Sequence, residues 1–233
     1  MGEPVKIEAR LAAVRERITS AATRAHRPAG AVRLVLASKT QPAVAIAAAY
    51  HAGAREFGEN YVQEAAAKRP ALATLSGVTW HMIGHLQTNK ARLAVDNFDI
   101  IQTLDSPRLA AAIGRMRPSP RVAVLIEVNL GGEASKSGVA PGALEELINA
   151  VRGQVEVRGL MTIPPPVAQP EQARPCFARL RELREHLAAA TGLALSDLSM
   201  GMTEDFEIAI EEGATIVRVG RAVFGERGAY RKI

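Results

Sequence analysis

The residues best placed to do chemistry are a lysine, an arginine and a few glycines and hydroxyls, all at the ends of apolar runs. Lys39 closes the stretch VRLVLASKTQ, in which every residue from Val32 to Ala37 except Arg33 is apolar. A lysine held against a hydrophobic sheet has its ammonium form disfavoured by desolvation, which leaves more neutral amine to attack a carbonyl. That is Schiff-base chemistry. The plainer alternative is a lysine that points into solvent, as most do. Arg218 sits between Val217 and Val219 in VRVGRAVFG. An inward guanidinium there has to find an acceptor, because an unpaired buried charge is very costly. Gly220 lets the backbone approach an anion, and the amides from Arg221 onward open a short helix. Met200-Gly201-Met202-Thr203 leads into another helix that begins with Glu204 and Asp205. Thr203 is either its N-cap or a hydroxyl for a phosphate, and the two acids complement the helix dipole. The set amounts to an amine for an aldehyde and a cradle for an anion.

These groups work together only if strand ends share one rim. The run 32–38 is apolar on both faces, as in a parallel sheet, and Pro42 then starts a helix that Gly53 can cap. The alternation continues with strand 54–57, helix 60–75, strand 78–83, helix 88–95, strand 98–103 and helix 106–117. It is repeated by strand 121–128, helix 141–152, strand 155–161, helix 169–191, strand 195–199, helix 203–212, strand 215–218 and a short helix 221–225. Eight strand–helix pairs predict an α/β fold, a (β/α)8 TIM barrel, with a doubly wound open sheet as the alternative. Residues 1–30 are expected to form an extra N-terminal helix packed on the barrel, with Ile7, Leu11, Val14 and Ile18 at helical spacing. Residues 31–233 form the single barrel domain. Its carboxyl rim would carry Lys39, Asn60, His81 to His85, Asp105, Asn129, Ser199 to Thr203 and Arg218 to Arg221. Barrel phosphate sites are frequently built after strands 7 and 8, where two of these groups fall. Pro164–Pro166 reads as a rigid loop after the sixth strand.

Composition narrows the function classes. Aromatics are only 4% of the 233 residues, which argues against base stacking. The net charge of +5 arises from basic residues alternating with glutamates, as in RLRELREH, so a solvated helix face explains it better than nucleic-acid binding. The single cysteine excludes an internal disulfide and a thiolate metal cluster, and fits a cytoplasmic location. The charged start of the chain resembles neither a signal peptide nor an anchor, and no apolar run is long enough to span a bilayer. His81 and His85, four apart, read as strand then turn rather than as a zinc pair on a helix. Cys176 has no evident base nearby.

Seven stretches, SKTQP, EFGENYVQE, WHMIGHLQTNK, the SKSG loop, RGLMTI, LSMGMTEDFEIAI and GATIVRVGRAVFG, together resemble the YggS/PROSC family of pyridoxal-phosphate-binding proteins. The fold of that family is similar to the barrel domain of alanine racemase. The likeness runs from about residue 30 to about residue 225. It implies that Lys39 forms an internal aldimine with pyridoxal 5′-phosphate (PLP), that Arg218 faces the pyridine nitrogen, and that Thr203, Gly220 and Arg221 hold the phosphate. Asn60, Ser199 and Met200 complete the expected cofactor-binding set, and no metal is expected. Two positions depart from the pattern. Thr203 replaces a serine, keeping the hydroxyl. Arg221 replaces a small hydroxyl residue, and its guanidinium either contacts the phosphate or turns outward.

Pyridoxal-phosphate enzymes rely on a protonated pyridine nitrogen as electron sink. A permanent cation at Arg218 disfavours that protonation. Racemisation also needs bases on both cofactor faces, and the racemase draws its second from an added domain and a partner subunit. The expectation is therefore a monomeric PLP carrier or homeostasis protein with little catalysis, which buffers the cofactor or passes it transiently to apo-enzymes. The alternatives are an amino-acid racemase or lyase using Tyr61 or His85 as base, and a phosphate-sugar aldolase with Lys39 as catalytic amine. Lys136, in the SKSG loop, is either a second aldehyde acceptor or a solvated side chain.

Overall fold

The computed structural model describes residues 3–132 and 137–225. Eight parallel strands close into a barrel in chain order. They are β1 (Arg33–Ala37), β2 (Glu56–Glu59), β3 (Thr79–Met82), β4 (Ile100–Leu104), β5 (Ala123–Glu127), β6 (Glu156–Met161), β7 (Asp197–Ser199) and β8 (Ile216–Val219). Helices wrap the outside: α1 (Glu3–Arg24) ahead of the barrel, then α2 (Ala43–His51), α3 (Val62–Lys68), α4 (Ala91–Asn97), α5 (Pro107–Met116), α6 (Leu144–Val151), α7 (Arg174–Thr191), α8 (Phe206–Glu211) and α9 (Arg221–Phe224). The expected barrel is therefore the observed one. No helix among the described residues is long and apolar enough to cross a membrane.

Local chemistry explains the boundaries. Ser106 caps α5 by accepting from the Leu109 N–H, with Pro107 in the first turn. Gly53, at φ +92°, ends α2 in a conformation that favours glycine. The four apolar residues of α1 at helical spacing are all buried, and the helix packs against α2, α8 and α9. The last two barrel helices have only six and four residues. α1 supplies the apolar cover that they are too short to give.

Several element bounds shift from those expected, and two of the shifts bear on the site. β2 runs over Glu56–Glu59 rather than 54–57, because Gly58 belongs inside the strand. A Cβ there would come within 2.8 Å of Ile83 and 3.0 Å of Val35, so glycine marks close packing rather than a strand end. The helix expected over 203–212 begins only at Phe206, and its N-cap position is Asp205.

Strand alternation sorts side chains between bore and outer shell. Val35, Leu125, Met161 and Ile216 form an apolar cluster of their own, apart from the larger core between strands and helices. Counting by twos from that inner cluster, Val35 leads to Ala37 and Lys39, and Ile216 leads to Arg218 and Gly220. Register brings the two series side by side, with Val35 opposite Arg218.

Candidate functional site

Lys39 stands two residues past the end of β1, in a turn that its neighbours hold firmly. The Ser38 hydroxyl donates to Glu59 Oε1 at 2.7 Å. Lys68 Nζ, on α3, donates to the same oxygen at 2.9 Å, to the Ser38 carbonyl at 3.0 Å, and pairs with Glu64 at 2.6 Å. Glu64 in turn accepts the Thr40 backbone N–H at 2.5 Å. Thr40 has φ +64°, a region disfavoured for L-residues, so the turn depends on this clamp. Burial raises the Glu59 carboxyl above its usual pKa, and Lys68 pulls it back down. Lys39 itself is half-buried.

Arg218 is 4% exposed. Its guanidinium donates to Ser199 Oγ at 2.6 Å and to the Thr162 carbonyl at 2.9 Å. Burial lowers its pKa to about 10, against the opposing pull of Asp205 and Glu127. Neither carboxylate is a direct hydrogen-bond partner that explains the burial. Glu127 is bonded by the Ser137 hydroxyl at 3.0 Å, and Asp205 accepts the Met202 N–H at 2.6 Å. Burial raises the pKa of both carboxyls.

Lys39 and Arg218 open into one cleft of about 730 Å³, which Thr203, Gly220 and Arg221 also line. Pro164 to Pro166, the rigid loop after β6, form part of its wall. At Gly220 a Cβ would lie 3.1 Å from the Ala37 carbonyl, so the β8 end runs tight against the β1 end. Thr203 was a candidate N-cap, but Asp205 takes that position and leaves the Thr203 side chain on the cleft. Glu204 and Asp205 do more than complement a dipole. Asp205 is buried and fixes the loop through Met202, while Glu204 is exposed and pairs with the Arg221 guanidinium at 3.1 Å.

Of the expected site residues, Lys39, Thr203, Arg218, Gly220 and Arg221 meet on this cleft. Ser199 lies beneath it as the support of Arg218, and Met200 is fully buried with its N–H on the Ile216 carbonyl. Asn60 is not among the lining residues, and its Oδ1 is buried without a hydrogen-bond partner. Tyr61 is 62% exposed, and His85 lies 3.5 Å from Asp105; neither lines the cleft. Lys136 falls outside the described residues. Sequence alone assigns no role to Lys68, Glu59, Glu64, Thr162 or Glu127. Glu59, Thr162 and Glu127 show there only as polar residues at the ends of apolar strands, and Lys68 and Glu64 as a pair four apart on a helix.

The donor set suits a phosphorylated aldehyde. A primary amine stands on one wall, a glycine backbone and a threonine on another, and a fixed cation lies below, around a space large enough for an aromatic ring with a phosphate. Comparison with known proteins points the same way. The model of the family described as alanine racemase, N-terminal domain, matches residues 9–228. The pyridoxal phosphate homeostasis protein of Aquifex aeolicus is 47% identical over 222 residues, which is 94% of this chain and 97% of that one. Its counterpart in Escherichia coli K12 is 43% identical over 234 residues, covering 95% and 97%. Among solved structures, PipY of Synechococcus elongatus PCC7942 with PLP bound superposes with a TM-score of 0.82 at 39% identity, covering 94% of this chain and all of that one.

Proposed function

This chain belongs to the alanine racemase N-terminal domain family, among the pyridoxal phosphate homeostasis proteins, and from that premise we propose that it binds PLP and serves PLP homeostasis with little or no catalysis. The observation that carries the reading is the convergence of Lys39, Thr203, Arg218, Gly220 and Arg221 on one cleft. When bound, PLP supplies an aldehyde that condenses with a primary amine with loss of one water. Lys39 supplies that amine from a turn clamped by Lys68 and Glu64. Gly220, Thr203 and the Arg221 backbone hold the phosphate, and Arg218 faces the ring nitrogen. Residues 31–233 act as one binding unit with α1 packed outside it, working in the cytoplasm as a monomer and passing PLP transiently to apo-enzymes.

The carrier reading is supported over a racemase or lyase by two features. Arg218 places a cation where such enzymes need a protonated nitrogen. The base candidates Tyr61 and His85 do not line the cleft. Incubating the PLP-loaded protein with amino acids in deuterated water tests this: no Cα exchange above free PLP is expected, and rapid exchange would make it an enzyme.

A further inference from the structure

Five polar side chains run through the bore beside the apolar cluster. Arg218 on β8 bonds Ser199 on β7 at 2.6 Å. Ser199 Oγ bonds Gln102 Oε1 on β4 at 2.6 Å, crossing between strands that are not neighbours. Gln102 Nε2 lies 2.9 Å from His81 Nδ1 on β3, and His81 Nε2 lies 3.0 Å from Glu56 Oε2 on β2. Ser199, Gln102 and His81 are wholly buried. At the far end Glu56 is also within 3.8 Å of Arg33, which pairs with Asp197 at 2.9 Å.

The two ends, with the Gln102 amide turned so that Oε1 faces Ser199 and Nε2 faces His81, set the proton arrangement between them. A guanidinium can only donate, and a carboxylate can only accept. Arg218 therefore donates to Ser199, the Ser199 hydroxyl to the Gln102 carbonyl, the Gln102 amide to His81 Nδ1, and His81 Nε2–H to Glu56. Every hydrogen runs the same way, with His81 accepting at Nδ1 and donating from Nε2. Such a chain polarises along its length, so the Glu56 charge makes Ser199 Oγ a better acceptor for the guanidinium. TIM-barrel bores are mostly filled with branched apolar residues, and the other half of this one follows that rule. A buried polar network is weak evidence for stability, since apolar packing of the same volume often serves as well. The polar half leads to one group that opens on the cleft.

We propose that Ser199, Gln102 and His81 are positioning residues, a one-way hydrogen-bond relay anchored on Glu56 that fixes the Arg218 guanidinium against the ring nitrogen of bound PLP and thereby sets how readily that nitrogen takes a proton. The inference rests on the PLP-binding reading. Its test compares the wild type, His81→Phe, which keeps the ring volume without polar atoms, and His81→Gln, whose amide can again accept from Gln102 and donate to Glu56. PLP affinity and the pH titration of the bound cofactor's absorption are the readouts. In His81→Phe, affinity falls about tenfold, as for a lost hydrogen bond to a charged group. Its titration midpoint moves to higher pH, because a displaced cation no longer opposes protonation. His81→Gln recovers most of both. A folded His81→Phe with wild-type affinity and midpoint overturns the relay, whereas a wild type that binds no PLP overturns the functional reading itself. Should His81→Phe fail to fold, nitrogen NMR of the wild type decides. A neutral Nε2–H His81 whose shifts move when PLP is added supports the relay, and any other tautomer, or no response, overturns it.

Discussion

Lys68 and Arg218 are both drawn out of solvent at the carboxyl rim of this barrel, and they are treated in opposite ways. Lys68, with its side chain 13% exposed, has two carboxylates in direct contact, Glu59 at 2.9 Å and Glu64 at 2.6 Å. Arg218, more deeply buried, touches a hydroxyl and a carbonyl instead. A cation surrounded by its counter-charges is spent on structure, and here it holds the turn that presents Lys39. A cation given neutral acceptors and left open to a cleft keeps its field available for a ligand. One charge therefore builds the rim, and the other is the one proposed to act on a ligand there.

The contrast can be broken at either end. Lys68→Met leaves Glu59 buried without its counter-ion, so urea unfolding is expected to show a loss of about 3 kcal/mol or more. Arg218→Leu removes a charge that burial opposes, so its stability stays within about 1 kcal/mol of the parent. Its PLP affinity, by equilibrium titration, nevertheless falls about tenfold or more by loss of a charge-assisted contact. If Arg218→Leu unfolds while Lys68→Met does not, the two roles have been assigned the wrong way round.

A smaller effect sharpens the electrostatics of the bore. Burial raises the Glu127 carboxyl above its ordinary value of 4.5. A raised native pKa contributes stability below the ordinary value, and that contribution is lost as pH rises through the native one. Glu127→Gln mimics the protonated form, so it should melt higher than the parent near neutral pH. The difference should vanish below about 4.5, which thermal melts across that range would check. The smallest effect concerns Glu204 and Arg221, an exposed pair at 3.1 Å. Glu204→Gln frees the guanidinium at the mouth and changes PLP affinity by roughly twofold, more at low salt than at high.

How much of this was legible beforehand follows from the range of the interactions. Lys39 could be read from Val32–Gln41 because a strand buried on both faces and a proline-started helix are local signals. The same holds for Arg218, flanked by valines. Lys68 and Glu64, four apart on a helix, looked like an ordinary surface pair, and only the barrel's closure brings Glu59 and the Ser38 carbonyl to them. The chain from Arg218 to Glu56 was invisible for a stronger reason. It joins five strands, and the link between Ser199 and Gln102 spans the bore between residues 97 apart in sequence. Thr203 and Asp205 are both good caps, and nothing local says which of them stops the helix. Asp205 takes the N-cap position with no side-chain cap bond, its carboxylate instead accepting the Met202 N–H in the preceding loop.

Lys39 is proposed to present the amine that captures the cofactor's aldehyde. An absorption spectrum of protein mixed with PLP and then gel-filtered tests it directly. A visible band is expected to travel with the wild type and to disappear in a folded Lys39→Ala. A band of equal strength in both proteins, or in neither, would contradict it.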